Sequence, residues 1–201
     1  MKNDTLQSTI RNSSIISMIT KFQDYLIEIV DEPDFRLNST DNVFVYSKIY
    51  FDKVGYQPVS KHGIKITKDG QTITSALVCE TGGATGIHDN SYITKDHSLF
   101  LCCCDTIYSF DLPGLTLNWK KQLDPATCFS IHSFKDDFIV HGEMEVKRIN
   151  QNGDVKWRFG GGDIFVTPDG APSITLMGDK IKLIDWEGNH YLLDEFGVLV
   201  G

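Results

Sequence analysis

The residues best suited to chemistry gather in one irregular stretch, Thr81–Asn90 (TGGATGIHDN), with His97 just beyond it. Within it Thr85, His88, Asp89 and Asn90 form a polar constellation, and Gly82, Gly83 and Gly86 let the backbone adopt positive φ. Adjacent histidine and aspartate on a loop can act as an acid–base pair or as metal ligands. No HxH, HExxH, CxxC or GxSxG spacing accompanies them. Asp and Asn side chains bonding to nearby backbone in a turn explain the same letters. His88 and Asp89 are therefore weak catalytic candidates, in the loop where a small-ligand or metal-dependent enzyme would be built.

Other groups carry less. His141-Gly142-Glu143-Met144-Glu145 is a second polar cluster, and the nearby Cys128 and His132 hint at zinc. Those two are four residues apart, a helical spacing, yet the surrounding letters (CFSIHSF) read as a strand that would put both on one face. Two ligands do not make a site, and no others can be nominated. Gly160–Gly162 lack the Lys-Ser/Thr and the helix of a phosphate loop and read as a turn. Cys102-Cys103-Cys104 lies in an apolar run, where free thiols pack as small hydrophobes. The carboxylates Asp136, Asp137, Glu143, Glu145, Asp154, Asp163, Asp169 and Asp179 punctuate turns and sheet rims and together make an acidic surface. No metal site or cofactor site emerges.

The elements that would position these groups are strands. Ile15, Ile19, Phe22 and Leu26 fall on a helical stripe behind Ser13 and Ser14, which predicts a short N-terminal helix passing into a strand at Tyr25–Val30. Residues 1–13 read as loose. Asn42–Phe51 (NVFVYSKIYF) is rich in β-branched and aromatic residues and predicts a strand. Ile64–Thr67 and Thr72–Cys79 flank an Asp69-Gly70 hairpin signal. Further strands are expected at Ser98–Cys104, Thr106–Asp111, Leu115–Lys121, Cys128–Phe134, Phe138–Gly142, Glu143–Ile149 and Val155–Phe159. Ile174–Met177, Lys180–Asp185, His190–Leu193 and Val198–Val200 complete the series.

Within residues 100–191 one pattern recurs three times: an apolar pair three apart, Asp or Asn, a glycine, then an aromatic. The copies run Ile107, Phe110, Asp111, Gly114, Trp119; Val146, Ile149, Asn150, Gly153, Trp157; and Ile181, Ile184, Asp185, Gly188, Tyr191. From Asp or Asn to glycine the interval is three in every copy, and Asp194 and Gly197 restate it. Such repetition signals stacked or radial β-architecture rather than an active site. The pattern resembles the blade motif of pyrroloquinoline-quinone-repeat propellers, over residues 99–192, about half the chain. In that family the glycine turns the hairpin and the tryptophan packs between blades, which implies that Trp119 and Trp157 are architecture. Quinoprotein enzymes of that superfamily hold quinone and calcium beside a disulfide between adjacent cysteines. This chain is too short for their larger propeller and lacks their companion cofactor residues, so the resemblance is to the blades alone. The fold class expected is one mainly-β domain over residues 1–201, built of antiparallel meanders and propeller-like, with closed, open and incomplete forms all compatible with the sequence.

Composition narrows the partners. With 27 acidic against 19 basic residues the formal charge is −8, which disfavours nucleic acid and anionic membranes. No stretch reaches the roughly 20 apolar residues of a membrane span, and no signal peptide stands out. Five cysteines without framework spacing suggest reduced thiols in a cytoplasm. The expected function is a non-catalytic β-repeat module that binds another protein, an acidic bacterial immunity-type protein neutralising a basic toxin being one concrete form. A catalyst using His88 and Asp89 is the alternative.

Overall fold

The computed structural model describes residues 8–12, 15–51, 53 and 55–200, with side chains from residue 16 onward. Seventeen strands and no helix appear among them. The first sheet contains β1 (Ser8–Asn12), β2 (Ile15–Phe22), β3 (Tyr25–Asp31), β4 (Lys48–Tyr50), β5 (Ser60–Lys68) and β6 (Gln71–Glu80), in the order β1-β2-β3-β5-β6-β4. Its pairings are antiparallel except for β4 beside β6. The second sheet is a meander of β7 (Tyr92–Lys95), β8 (Ser98–Cys103), β9 (Thr106–Asp111) and β10 (Thr116–Gln122). The third repeats it with β11 (Cys128–Phe134), β12 (Asp137–Gly142), β13 (Val146–Ile149) and β14 (Val155–Phe159). The fourth has β15 (Ile174–Met177), β16 (Lys180–Ile184) and β17 (His190–Leu193), extended by a bridge from Leu193 to Leu199.

Consecutive sheets pack face to face, and the period of two along each strand explains how one strand serves two junctions. On β8, Leu99, Leu101 and Cys103 face Ile27, Ile29, Ile64 and Ile66 of the first sheet. The intervening Phe100 and Cys102 face Ile131, Phe138 and Val140 of the third. On β12 the alternate residue Ile139 joins Ile181, Leu183 and Leu193 of the fourth, with Phe165 between them. Each aliphatic side chain buried in this way contributes about 1.5–3 kcal/mol. The architecture is an open, propeller-like series of antiparallel meanders.

Four expectations need correction. Ile15–Phe22 is a strand, not a helix: its β-branched residues pair with β3 through a tight turn in which Gln23 has φ +52°. Ser8–Asn12 is strand rather than loose chain, because β2 offers it a free edge; residues 1–7 and 13–14 lie outside the described residues. Within Asn42–Phe51 only Lys48–Tyr50 is a strand; Phe44 and Tyr46 pack with Phe35, Leu77 and Cys79 on the outer face of the first sheet. Val43 and Val45 are left exposed by that arrangement. Val198–Val200 amounts to a single bridge.

Candidate functional site

The loop expected to hold chemistry is braced from end to end. Thr85 is buried, its Oγ1 donating to the Cys104 carbonyl at 3.2 Å and its N–H to Ser60 Oγ at 2.9 Å. Gly83 passes so close to β11's approach that a Cβ would lie 1.7 Å from Thr127 Oγ1. His88 accepts the Asn90 N–H on Nδ1 at 3.2 Å, which leaves the proton on Nε2 to donate to the Phe129 carbonyl at 3.0 Å. Both ring nitrogens are thus spent holding the loop to β11. Asp89 is exposed, with no partner among the described residues, at the mouth of an axial cleft of about 360 Å³ between β7, β11 and β15. His97 packs edge-on against Phe22, away from the pair. The structure does not bring His88 and Asp89 together as acid and base.

A second histidine group lies deeper. Ser130 and His141 are cross-strand partners on β11 and β12, and His132 is next on the same face as Ser130. Ser130 Oγ lies 2.8 Å from His132 Nε2 and 3.4 Å from His141 Nδ1; His141 Nε2 lies 3.0 Å from both the Phe165 carbonyl and Ser173 Oγ. One proton inventory satisfies this chain: His132 Nε2–H to Ser130, Ser130 O–H to His141 Nδ1, His141 Nε2–H to Phe165. His141 must be neutral for it, because its Nδ1 accepts while its Nε2–H donates. Burial lowers each imidazole to about 4, the neighbouring histidines adding to the effect, while the Phe165 carbonyl partly restores His141. His141 cannot serve Ser173 as a general base, because the nitrogen facing the hydroxyl carries the proton. Cys128 does not share this face. A register shift between Cys128 and Ser130 turns it into the core between the second and third sheets, its Sγ on the Asp105 carbonyl at 3.2 Å. Cys128 and His132 therefore point to opposite sides of the sheet.

The repeat residues have a clear physical role. Asn150 Oδ1 accepts the N–H groups of Asn152 and Asp154, both at 2.9 Å; Asp194 Oδ1 does the same for Phe196 and Val198, both at 2.9 Å. Gly153 and Gly197 close these turns with φ +73° and +76°, values that favour glycine. In the copy starting at Asp111 the positive φ falls on Leu115 at +52° rather than on Gly114. Each turn is then clasped from the preceding sheet. Trp119 Nε1 donates to the Gln151 carbonyl at 3.0 Å and its ring lies over Gly153; Trp157 Nε1 donates to the Glu195 carbonyl at 2.9 Å and its ring lies over Gly197.

One clasp was not visible in the repeat. Tyr50 on β4 donates to the Leu115 carbonyl at 2.7 Å, the same relation one sheet earlier. A cation accompanies every aromatic: Lys48 on Gly114 at 2.7 Å, Lys121 on Asn152 at 2.9 Å, Arg148 on Glu195 at 2.7 Å. The spacing that would have revealed it is aromatic and lysine two apart, as in Lys48/Tyr50 and Trp119/Lys121. Asp185, Gly188 and Tyr191 belong one hairpin earlier in their sheet. Their turn joins β16 to β17, and Tyr191 bonds back to Asp185 at 2.7 Å instead of reaching another sheet.

Buried acids complete the framework. Glu80 accepts from Tyr108 at 2.6 Å and pairs with Lys53 at 2.8 Å and Lys120 at 3.5 Å, tying the first sheet to the second. Burial alone would raise its carboxyl, but these partners hold it below the usual range. Asp137 is likewise held low against burial by Lys156 and Arg148. Asp124 accepts from the N–H groups of Ala126, Thr127, Met144 and Glu145. The cysteines are all buried free thiols. The aromatic clasps, buried carboxylates and histidine contacts brace the sheets against one another.

No family model matches the sequence, and no curated protein matches it. Among solved structures the chain is similar to one described as "AfRom2 CNH domain", with 11% identity and a TM-score of 0.47 over 97% of this chain and 68% of that one.

Proposed function

We propose that the chain is a non-catalytic β-repeat module that binds another protein through its acidic surface. The observation that carries this reading is the fate of His88, whose two ring nitrogens are both committed to backbone groups. The residue best placed for acid–base work thereby acts as a brace. His132 engages Ser130 through Nε2, and His141 engages Ser130 and the Phe165 carbonyl through its two nitrogens, which gives a catalytic reading little support. A formal charge of −8 favours a basic partner, drawn by long-range attraction. An immunity-type protein neutralising a cationic toxin is the concrete form, and five buried free thiols suit a reducing cytoplasm. The clasps on successive turns support kinship with quinoprotein-type repeats without their cofactor. The test is capture of basic proteins from the native cell extract, repeated across rising salt. Binding that weakens steeply with salt supports the proposal, and salt-insensitive or absent binding removes it.

A further inference from the structure

The outer face of the first sheet carries a groove of about 430 Å³. Its floor is Glu28 and Val30 on β3 with Lys65 on β5, and its wall is the segment from Glu32 to Phe44. The wall is a built feature. Tyr46 donates its hydroxyl to Glu32 and lies across Gly63, where a Cβ would come within 1.9 Å of that oxygen. Burial and the Glu32 carboxylate raise the Tyr46 hydroxyl well above its ordinary range, so it stays a donor. Its ring packs edge-on against Phe35 and Phe44, with centroids 5.7 and 4.8 Å away. Asn42 ties the wall's two ends, bonding the Arg36 N–H at 2.9 Å and the Arg36 carbonyl at 2.7 Å.

The lining combines apolar surface with unneutralised charge. Lys65 shows how a cation sits there: its Nζ is 4.3 Å from the Phe44 ring centroid and 3.7 Å from Glu28 Oε2. Asp34 and Asp41 are exposed at the rim, and their carboxylates have no hydrogen bond or ion pair among the described residues, the Asp41 N–H alone bonding Ser39 Oγ at 3.1 Å. Val43 is fully exposed at the lip. Lysine or arginine next to an apolar side chain complements such a lining, whereas a purely polar or acidic segment does not. We propose that this groove receives a basic segment of a protein partner, Asp34 and Asp41 pairing with its cations while Val43 and Phe44 take the adjoining apolar side chain. The assignment rests on the protein-binding reading above and names the surface that would perform it.

The experiment follows backbone amide shifts of the full ¹⁵N-labelled chain as a synthetic peptide of alternating leucine and arginine is added. A peptide with glutamate in place of arginine is the control, and cytochrome c at low salt is the cationic protein probe. The arginine peptide should perturb Glu32–Phe44 and Lys65 while the control perturbs nothing. Asp34→Asn with Asp41→Asn removes two exposed carboxylates without touching the core, and should weaken the interaction roughly three- to thirtyfold. Retained affinity in that variant overturns the roles of Asp34 and Asp41. Perturbation elsewhere with the groove silent overturns the groove and leaves the protein-binding reading standing. No response to the arginine peptide or to cytochrome c overturns both.

Discussion

At the outer rim Tyr50, Trp119 and Trp157 reach from one sheet to a turn of the next, each with a cation beside it. At the axis, Ser130, His132, His141 and Ser173 link the inner strands through neutral groups. Lys48 and Lys121 at the rim stay partly exposed and bond carbonyls without full desolvation, whereas Arg148 is buried and is neutralised by Asp137. At the axis Ser130, His141 and Ser173 are buried, and their polar chain survives only while His141, whose Nδ1 accepts from Ser130, lacks a second proton. One molecule thus uses ionised and un-ionised hydrogen bonding for the same purpose, and the two should fail under different conditions.

Removing a charge from the rim-side framework should have the largest effect. Glu80 is 2% exposed and serves Lys53, Lys120 and Tyr108 together. Glu80→Ala is expected to cost about 3–5 kcal/mol in urea unfolding, with Glu80→Gln intermediate. Trp119→Ala and Trp157→Ala should each cost about 2–4 kcal/mol, and by similar amounts, because the two rings occupy equivalent places. Unequal losses would show that one clasp is incidental.

The axis should fail in acid instead. His132 and His141 titrate near 4 in the folded chain against an ordinary 6.5, so the unfolded chain takes up protons first as pH falls. Their contribution is therefore complete above about pH 6.5 and is lost as pH falls toward about 4, by about 3 kcal/mol per histidine. His141→Gln should flatten that part of the stability profile, while Trp119→Phe should leave its slope unchanged. A smaller effect separates ring packing from backbone strain. Gly153→Ala meets both a φ of +73° and the Trp119 ring 2.9 Å away, whereas Gly70→Ala meets only a φ of +77°. The first should cost about 2 kcal/mol and the second about 1.

Most strands of the second and third sheets were legible in sequence because they pair with neighbours in the chain, with Asn152-Gly153 marking one of the turns, and Asp69-Gly70 marked the β5–β6 hairpin of the first sheet in the same way. The rest of the first sheet was not legible. Ile15–Phe22 carries an apolar spacing that fits helix and strand alike, and only pairing with β1 and β3 decides it. Phe44 and Tyr46 read as strand residues, but their rings are used to cover a face, an outcome set by Gly63 some twenty residues away. At the candidate site, His88 and Asp89 stood out by residue type, whereas the partners that commit His88 come from the backbone of Phe129 and Asn90 and leave no mark in the letters. The Ser130–His141 contact was equally hidden, since it depends on a register shift at the start of β11.

The most direct test is nitrogen NMR of the imidazoles of His132 and His141, from about pH 7.5 down to about pH 3.5. The expected result is two neutral rings protonated on Nε2 that hold their shifts until near pH 4. A ring that gains its second proton near pH 6.5, or that carries its neutral proton on Nδ1, would contradict the bracing role assigned to the axis.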